Sequence, residues 1–349
     1  MQHLRNIPAG SRQFSALALL TAMTLLMTSA CSREQAGADL PRFKLDASRT
    51  TVSGLSSGAY MATQVHMAFS DHVAGVALLA GGPYGCAGGD LETALTRCLN
   101  PEADKSPDVE ALASLAKSRA AAGSIASLDG LAGDKVLVMH GSLDTTVAAG
   151  VSAAGAELYR KLGGAVVKTD MGRAMAHTFP TLATGARCDH SESPYIGSCG
   201  FDGAGDILGQ LYASDADAAE AATGDLRTFN QNAYLPEGED ALLADTGYVY
   251  IPKACSDGAT CGLHIAFHGC QQNAASVGEA FVAEAGYNRW ADARHLVVLY
   301  PQTRASYAPL NPKACWDWWG YSGADYDTRN GVQLRWLANA AAALGVALK

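Results

Sequence analysis

Short apolar runs alternate with longer stretches of helical periodicity along most of the chain. Apolar and β-branched runs predict strands at residues 50–55, 73–79, 135–140, 165–170, 247–251, 263–267 and 295–300. Helical periodicity predicts helices at residues 59–69, 107–122, 151–162 and 332–348. Several strand runs are apolar throughout, which is typical of strands covered on both faces. The alternation predicts an α/β fold with a mostly parallel, doubly wound sheet, whereas residues 200–235 show no regular pattern.

The first 30 residues have the pattern of a bacterial export signal. Arg5 and Arg12 form a positive segment, an apolar run follows to residue 27, and small residues close it. Such a run is too short and wrongly flanked for a membrane span. Cys31 follows directly, where a bacterial lipoprotein carries its lipidated cysteine, so lipid anchoring and plain cleavage both stay open. Residues 31–46 are expected to form a tether, and residues 47–349 a single folded domain.

Composition narrows the class of protein further. Hydrophobic residues make up 48% of the chain and charged residues 17%, so the chain is globular and not disordered. The formal net charge is −9 and no basic stripe interrupts it, which disfavours nucleic-acid binding. No Cys-x-x-Cys spacing occurs, so neither a metal nor another cofactor is expected. We expect a monomer.

The cysteine count fits an oxidising compartment. Setting Cys31 aside leaves eight of the nine cysteines, an even number in a chain with an export signal. Sequence by itself leaves many pairings open. Close spacing favours three bridges that each close a short loop, and leaves two cysteines for a longer one: Cys86–Cys98, Cys188–Cys199 and Cys255–Cys261, then Cys270–Cys315.

A candidate nucleophile follows the first predicted strand. The segment Gly54-Leu55-Ser56-Ser57-Gly58 has the G-x-S-x-G spacing and is followed by a predicted helix. Strand, tight turn and helix are the context of a nucleophile elbow, in which Ser56 would be the nucleophile. The backbone N–H of Ser57 would then stabilise an oxyanion. An ordinary turn rich in glycine and serine is the alternative.

A candidate acid and a candidate base follow in the chain order that α/β-hydrolases use. Asp144 lies on the loop after the predicted strand 135–140, although it could instead cap the next helix. Asp170, at the end of the following strand, is the second choice for the acid. His177 lies on the loop after that strand, where it would take the Ser56 proton while Asp144 orients its ring.

The candidate oxyanion loop comes late in the chain. His268-Gly269-Cys270 ends the predicted strand 263–267, whereas the usual hydrolase places such a loop before its nucleophile. Circular permutation accounts for this order, since it is tolerated where chain ends lie close together at the surface. The backbone N–H groups of Cys270 and Ser57 would then bind the oxyanion. A plain strand-to-loop turn is the alternative for the His-Gly pair.

These segments together resemble one family. Gly54-Leu55-Ser56-Ser57-Gly58, His268-Gly269-Cys270-Gln271-Gln272 and Cys315-Trp316-Asp317-Trp318-Trp319, in this order, resemble the permuted poly(3-hydroxybutyrate) (PHB) depolymerases. The resemblance implies a circularly permuted α/β-hydrolase that cleaves ester bonds with Ser56, Asp144 and His177, and it implies disulfides and no metal. Many bacterial members add a linker and a polymer-binding domain, which are absent from this sequence. Three tryptophans could line an apolar groove or pack in the core: Trp316, Trp318 and Trp319.

Three functional hypotheses follow. The leading one is an exported serine esterase, secreted, periplasmic or lipid-anchored, that hydrolyses PHB, related poly(3-hydroxyalkanoates) or their oligomers. The second is a general short-chain carboxylesterase, a lipase or a feruloyl-type esterase on the same scaffold, which fold analogy does not separate from the first. The third is a non-catalytic envelope lipoprotein that reuses the fold for binding.

Overall fold

The computed structural model describes residues 39–102, 105–212 and 217–348. The expected export signal at residues 1–30 and the expected lipidation site Cys31 lie outside the described residues. The described residues form one compact unit. Within the described ranges, no helix is long and apolar enough to cross a membrane.

Strands and helices alternate along the described chain. The strands are β1 (Leu45–Leu55), β2 (Gly75–Leu79), β3 (Lys135–Met139), β4 (Val166–Asp170), β5 (Phe179–Thr181), β6 (Ala186–Arg187), β7 (Ile196–Ser198), β8 (Asp225–Asn230), β9 (Thr246–Ile251), β10 (Cys261–Phe267), β11 (Leu296–Tyr300), β12 (Ser306–Tyr307) and β13 (Leu310–Asn311). The helices are α1 (Ser57–Ala68), α2 (Leu91–Arg97), α3 (Val109–Ala121), α4 (Ala149–Leu162), α5 (Gly203–Tyr212), α6 (Lys253–Ser256), α7 (Ala274–Val277), α8 (Ala280–Glu284), α9 (Tyr287–Arg294) and α10 (Val332–Leu344). Single 3₁₀ turns occur at Leu128–Leu131 and Gln231–Tyr234.

One sheet of eight strands forms the centre of the fold, in the order β4-β3-β2-β1-β10-β11-β9-β8. The strands from β4 to β11 pair in parallel, and β9 and β8 continue the sheet in antiparallel pairing. Successive side chains of β2 enter opposite layers of the core, because Val76 and Leu78 join one apolar cluster and Ala77 and Leu79 the other. The predicted doubly wound, mostly parallel sheet is confirmed.

The order of strands also confirms the predicted permutation. β10, from the far end of the chain, pairs in parallel with β1, and Gly54 stands opposite Phe267. The loops that follow β1 and β10 therefore leave the same edge of the sheet side by side. These are the loops that carry Ser56 and His268-Gly269-Cys270.

The chain returns to its described beginning at α10. The Phe43 N–H donates to the carbonyl of Leu344 at 2.8 Å, close to the end of that helix. Leu40 is buried, and its N–H donates to the Tyr234 hydroxyl at 2.6 Å. The described part of the expected tether therefore lies against the domain, and β1 already begins at Leu45.

Candidate active site

Ser56 occupies a strained turn between β1 and α1. Its φ of 57° lies in the left-handed region, which a serine adopts only where the surroundings impose it. A Cβ at Gly54 would lie 2.2 Å from the carbonyl carbon of Gly58, and one at Gly58 would lie 2.4 Å from the Phe267 oxygen. Both glycines are therefore required by close backbone packing, as a nucleophile elbow requires.

Asp144 and His177 form a buried pair. The His177 Nδ1–H donates to Asp144 Oδ2 at 2.7 Å, and the Asp144 side chain is wholly buried. The other oxygen, Oδ1, accepts the backbone N–H groups of Thr146 and Val147 at 2.8 and 2.9 Å. Because an ionised carboxylate can only accept, the proton of the neutral imidazole sits on Nδ1. Nε2 is thereby left as an acceptor, which is the form a general base needs.

The surroundings keep Asp144 ionised. Burial disfavours the charged carboxylate and raises its pKa, but the hydrogen bond from His177 and the charge of its ring act in the opposite direction. The N–H groups of Val147 and Thr146 add to this effect, and together these contacts hold the pKa of Asp144 below its ordinary value. The carboxylate can therefore stabilise an imidazolium at His177 during a reaction.

Ser56 and His177 line the same pocket. Among the described residues, no hydrogen bond joins the Ser56 hydroxyl to the His177 ring in this structure. Hydrogen bonds between catalytic groups are often long without substrate and shorten in the complex. Ser56 and His177 thus share one pocket, and Asp144, which is not part of the lining, is already bound to the His177 ring.

The peptide group between Gly269 and Cys270 has a fixed orientation. The Thr303 N–H donates to His268 Nε2 at 3.3 Å, so the ring proton of His268 is on Nδ1. Nδ1–H donates to the Gly269 carbonyl at 2.7 Å. In a trans peptide the N–H points away from the C=O, so the N–H of Cys270 is turned away from His268. Cys270 lines the pocket with Ser56 and Ser57.

The walls of the pocket are mostly apolar and enclose about 410 Å³. Leucines from α2 and its flanks form one wall, and Trp318 and Trp319 form another. Tyr60, one turn after Ser56 on α1, stacks on Trp318 with ring centres 4.5 Å apart and 17° between the planes. The lining includes Leu55, Leu91, Leu95, Leu99, Leu310, Tyr195 and Gln271. This arrangement suits a ligand with an aliphatic body and few polar groups.

All four predicted disulfides are present: Cys86–Cys98, Cys188–Cys199, Cys255–Cys261 and Cys270–Cys315. Three of them hold loops that line the pocket. One lies beside α2, one closes the loop that carries Ser191 and Tyr195, and one joins Cys270 to the segment before Trp318. Covalent bridges of this kind restrict the loops of a site that is built outside the sheet.

Comparisons with known proteins agree with this geometry. No protein-family model matches the chain. The chain is 39% identical over 307 residues to a poly(3-hydroxybutyrate) depolymerase of Delftia acidovorans, a match that spans 86% of this chain and 60% of that protein. It is 38% identical over 315 residues to a polyhydroxybutyrate depolymerase of Talaromyces funiculosus, spanning 84% of this chain and 89% of the fungal protein. The chain belongs to the polyhydroxybutyrate depolymerase family.

Solved structures of this family have the same fold. The PHB depolymerase from Penicillium funiculosum superposes with a TM-score of 0.78 at 33% identity, covering 88% of this chain and 98% of that one. A PHB depolymerase complexed with an R3HB trimer gives a TM-score of 0.79 with the same identity and coverage. The predicted family and the predicted fold are therefore confirmed.

Some sequence interpretations need correction. The sequence groups Trp316 with Trp318 and Trp319 as candidates for the groove, but its side chain is buried away from the pocket lining. It packs against Phe267 and His268, with ring centres 4.9 and 5.4 Å away, because it follows the disulfide into the core. Asp170, the second choice for the acid, pairs with Arg173 at 2.7 Å, and His177 is bound to Asp144.

Two features of the site are not predicted from sequence. Tyr60 gives no signal beyond its place in a helix, and the leucine wall of α2 lies in a segment for which no helix is predicted. Tyr60 could have been found from its spacing, because a residue four positions after the nucleophile lies one helical turn behind it.

Acid is expected to destabilise the fold through two buried histidines. Burial lowers the pKa of His268 from 6.5 to about 4, against a smaller opposing effect of the Gly269 carbonyl, and burial lowers the pKa of His264 to about 3. Below pH 6.5 the unfolded chain therefore binds protons that the folded chain does not, so stability falls as the pH drops toward the folded pKa. Each histidine contributes a slope of about 1.4 kcal/mol per pH unit.

Denaturant unfolding at several pH values measures this slope. The His268→Asn variant keeps a donor for the Gly269 carbonyl but has no group that titrates. Its free energy of unfolding is expected to fall less steeply than that of the wild type, by about 1.4 kcal/mol per pH unit. Parallel slopes for the two proteins would contradict the assignment of a buried neutral ring to His268.

Proposed function

We propose that the protein is a serine esterase that hydrolyses the ester bonds of poly(3-hydroxybutyrate), related poly(3-hydroxyalkanoates) or their oligomers. The observation that carries this proposal is the 2.7 Å contact between Asp144 and His177, together with the pocket that His177 and Ser56 both line. The names of the relatives and of the superposed structures support the substrate class.

The reaction uses an acyl-enzyme. The Ser56 hydroxyl attacks the ester carbonyl while His177 Nε2 takes its proton, and the carbonyl oxygen becomes an oxyanion held by the N–H groups of Ser57 and Cys270. The intermediate collapses, the ester C–O bond breaks, and the imidazolium gives its proton to the leaving alcohol. Water, deprotonated by His177, then attacks the acyl-Ser56 ester; the C–O bond to Ser56 breaks, the imidazolium returns the proton to the Ser56 oxygen, and the hydroxy acid leaves. Asp144 stays ionised and holds the ring.

The pocket favours an aliphatic polyester. Leucine side chains and the rings of Trp318 and Trp319 offer contacts to methyl and methylene groups, and most of the exposed lining is apolar. Large apolar side chains also project from the rim, where Leu95 is 51% exposed and Leu310 53% exposed. Tyr307, on the strand paired with β13, is 82% exposed. A rim of this kind suits adsorption to an apolar polymer surface.

Turnover on two substrates tests the proposal. Purified protein is given an amorphous PHB film and, separately, a soluble hydroxybutyrate trimer, and released hydroxy acids are quantified. Release from both substrates, or from the trimer, is expected. A protein that hydrolyses p-nitrophenyl or aryl esters but neither hydroxybutyrate substrate would instead be a general or feruloyl-type esterase. A protein that hydrolyses no ester and fails to react with a fluorophosphonate would be a binding protein.

Tyr307→Ser is expected to slow hydrolysis of the film and leave hydrolysis of the trimer unchanged. Burying about 100 Å² of the ring on a polymer surface is worth roughly 2 kcal/mol, so film binding should weaken by about tenfold or more. The measurement is the film-to-trimer rate ratio. Val166→Ser is the matched control, because Val166 is also apolar and 48% exposed. It is the first residue of β4, so it lies at the amino end of that strand, whereas the loops of the site follow the carboxyl ends of the strands. Equal ratios for the two variants would contradict a role of Tyr307 in adsorption.

We further propose that the protein acts outside the cytoplasm. The sequence pattern of residues 1–30 is that of an export signal, and the four disulfides are typical of an oxidising compartment. Cys31 would carry a lipid if the chain is anchored. Mass spectrometry of the mature N-terminus distinguishes a lipidated Cys31 from a free one.

A further inference from the structure

The side-chain amide of Gln272 joins two loops of the site. Gln272 is buried, and its Oε1 accepts the Gly269 N–H at 2.8 Å. Its Nε2 donates to the Tyr195 carbonyl at 2.9 Å and, at 3.3 Å, to the Pro194 carbonyl. Both ends of the amide are therefore occupied by backbone groups of different segments. A buried polar side chain satisfied in this way fixes the distance between the segments it binds.

On one side this amide holds the oxyanion loop. Gly269 is bound through both of its peptide groups, since Gln272 Oε1 takes its N–H and His268 Nδ1–H binds its carbonyl. The backbone N–H of Gln272 donates to the same carbonyl at 3.2 Å. The peptide that presents the Cys270 N–H cannot rotate without breaking the two bonds to the Gly269 carbonyl, and the side chain of Gln272 holds the peptide that precedes it.

On the other side the amide holds the loop that surrounds the base. The 188–199 strap, which is the segment between Cys188 and Cys199, passes beside His177. The Ser191 hydroxyl donates to the His177 carbonyl at 3.1 Å. The Tyr195 carbonyl, which Gln272 binds, also accepts the N–H of Phe179 at 2.8 Å, two residues after His177. The Tyr195 carbonyl thus connects the segment that follows His177 to the loop of Cys270, through the side chain of Gln272.

We propose that Gln272 is a positioning residue that fixes the Cys270 N–H relative to His177. The proposal rests on the proposed function, because it assigns a role within that reaction. The oxyanion and the imidazolium form in the same step, so the two loops must hold their mutual distance at that moment. Binding of the ester before reaction depends instead on the leucine and tryptophan walls. Loss of the amide should therefore lower kcat and leave KM nearly unchanged.

The test uses two substitutions at this position. Gln272→Met keeps the length of the side chain and removes both hydrogen bonds. Gln272→Glu keeps an acceptor for the Gly269 N–H and loses the donor to Tyr195. With soluble p-nitrophenyl butyrate, both variants are expected to lose about 10- to 100-fold in kcat, with KM within about threefold of wild type. Affinity for a butyl boronic acid, which forms a tetrahedral adduct, should fall by the same factor as kcat.

A second buried amide provides the matched control. Asn288 donates to the Val282 carbonyl at 2.9 Å and accepts the Tyr300 hydroxyl at 2.7 Å, and it is not part of the pocket lining. Asn288→Leu is expected to lower the Tm and leave kcat unchanged. A comparable loss of kcat in Asn288→Leu would reduce Gln272 to a merely structural role.

The outcome that overturns the proposal is a folded Gln272→Met with kcat within about threefold of wild type. If Gln272→Met does not fold, Gln272→Glu is judged by the same criterion. Ser56→Ala, assayed in parallel, distinguishes failure of the proposed esterase function from failure of the positioning role of Gln272. A Ser56→Ala rate equal to wild type contradicts the proposed function. An inactive Ser56→Ala together with a fully active Gln272→Met contradicts the positioning role and leaves the proposed function intact.

Discussion

Replacing Ser56 with alanine is expected to lower kcat for ester hydrolysis by about five to six orders of magnitude. In the proposed mechanism the Ser56 hydroxyl is the group that forms the acyl-enzyme. The fold should persist, because alanine tolerates a φ of 57° about as poorly as serine does and the close packing of Gly54 and Gly58 is unchanged. The measurement is hydrolysis of p-nitrophenyl butyrate, with far-UV circular dichroism to verify folding.

Ser57→Ala is the matched control for this result. It removes a neighbouring hydroxyl, which accepts the Trp316 N–H at a long 3.4 Å, but it keeps the backbone N–H assigned to the oxyanion. We expect its kcat within about tenfold of wild type. If instead Ser57→Ala is inactive and Ser56→Ala retains activity, the nucleophile is Ser57 and the assignment of Ser56 is wrong.

Asp144→Asn is expected to lower kcat by about 10⁴-fold at neutral pH. The new amide would keep its carbonyl oxygen on the N–H groups of Thr146 and Val147, because these occupy Oδ1 in the wild type. Its NH₂ group would then face His177 Nδ1 and donate to it. The imidazole would carry its proton on Nε2, where it cannot accept the proton of Ser56. Kinetics give the loss of activity, and ¹⁵N NMR of the histidine ring gives the tautomer.

Asp170→Asn distinguishes this effect from a general loss of negative charge. Asp170 ends the strand next to β3 and pairs with Arg173, so it is close in the fold but not bound to His177. The kcat of this variant should stay within about threefold of wild type. A large loss of kcat in Asp170→Asn and a small one in Asp144→Asn would show that Asp170, and not Asp144, is the acid of the triad.

Most of the sheet could be predicted because its inner strands are largely buried and apolar, and because the edge strand β4 begins with the apolar pair Val166 and Val167. The exception is β8, an edge strand in which Asp225 and Arg227 are exposed and paired with each other. Helix α5 escapes prediction for a different reason. It contains Gly205 and Gly209, which weaken helical propensity, and Gly205 is needed because a Cβ there would lie 2.6 Å from the Trp290 ring. Tertiary packing, which sequence pattern does not report, decides both elements.

Some residues of the candidate site could be predicted from sequence, and others could not. Ser56, Asp144 and His177 could be proposed because each follows the end of a strand in a known chain order, and ends of parallel strands share one edge. Gln272 could not be assigned a role, since its partners Gly269 and Tyr195 are brought together by folding. From sequence, the tryptophan cluster could belong equally to the core or to the groove. The structure places Trp316 in the core, whereas Trp318 and Trp319 line the pocket.

The hydrogen bond between Phe43 and Leu344 has a consequence for engineering. A short peptide that links these two points, with a new opening in the segment before β8, would give a polypeptide whose synthesis begins with β8 and reaches Ser56 only after β11. Such a rearranged protein would have the same contacts as the natural one but would make them in a different temporal order on the ribosome. Comparing the two would separate what the final architecture requires from what the order of synthesis contributes.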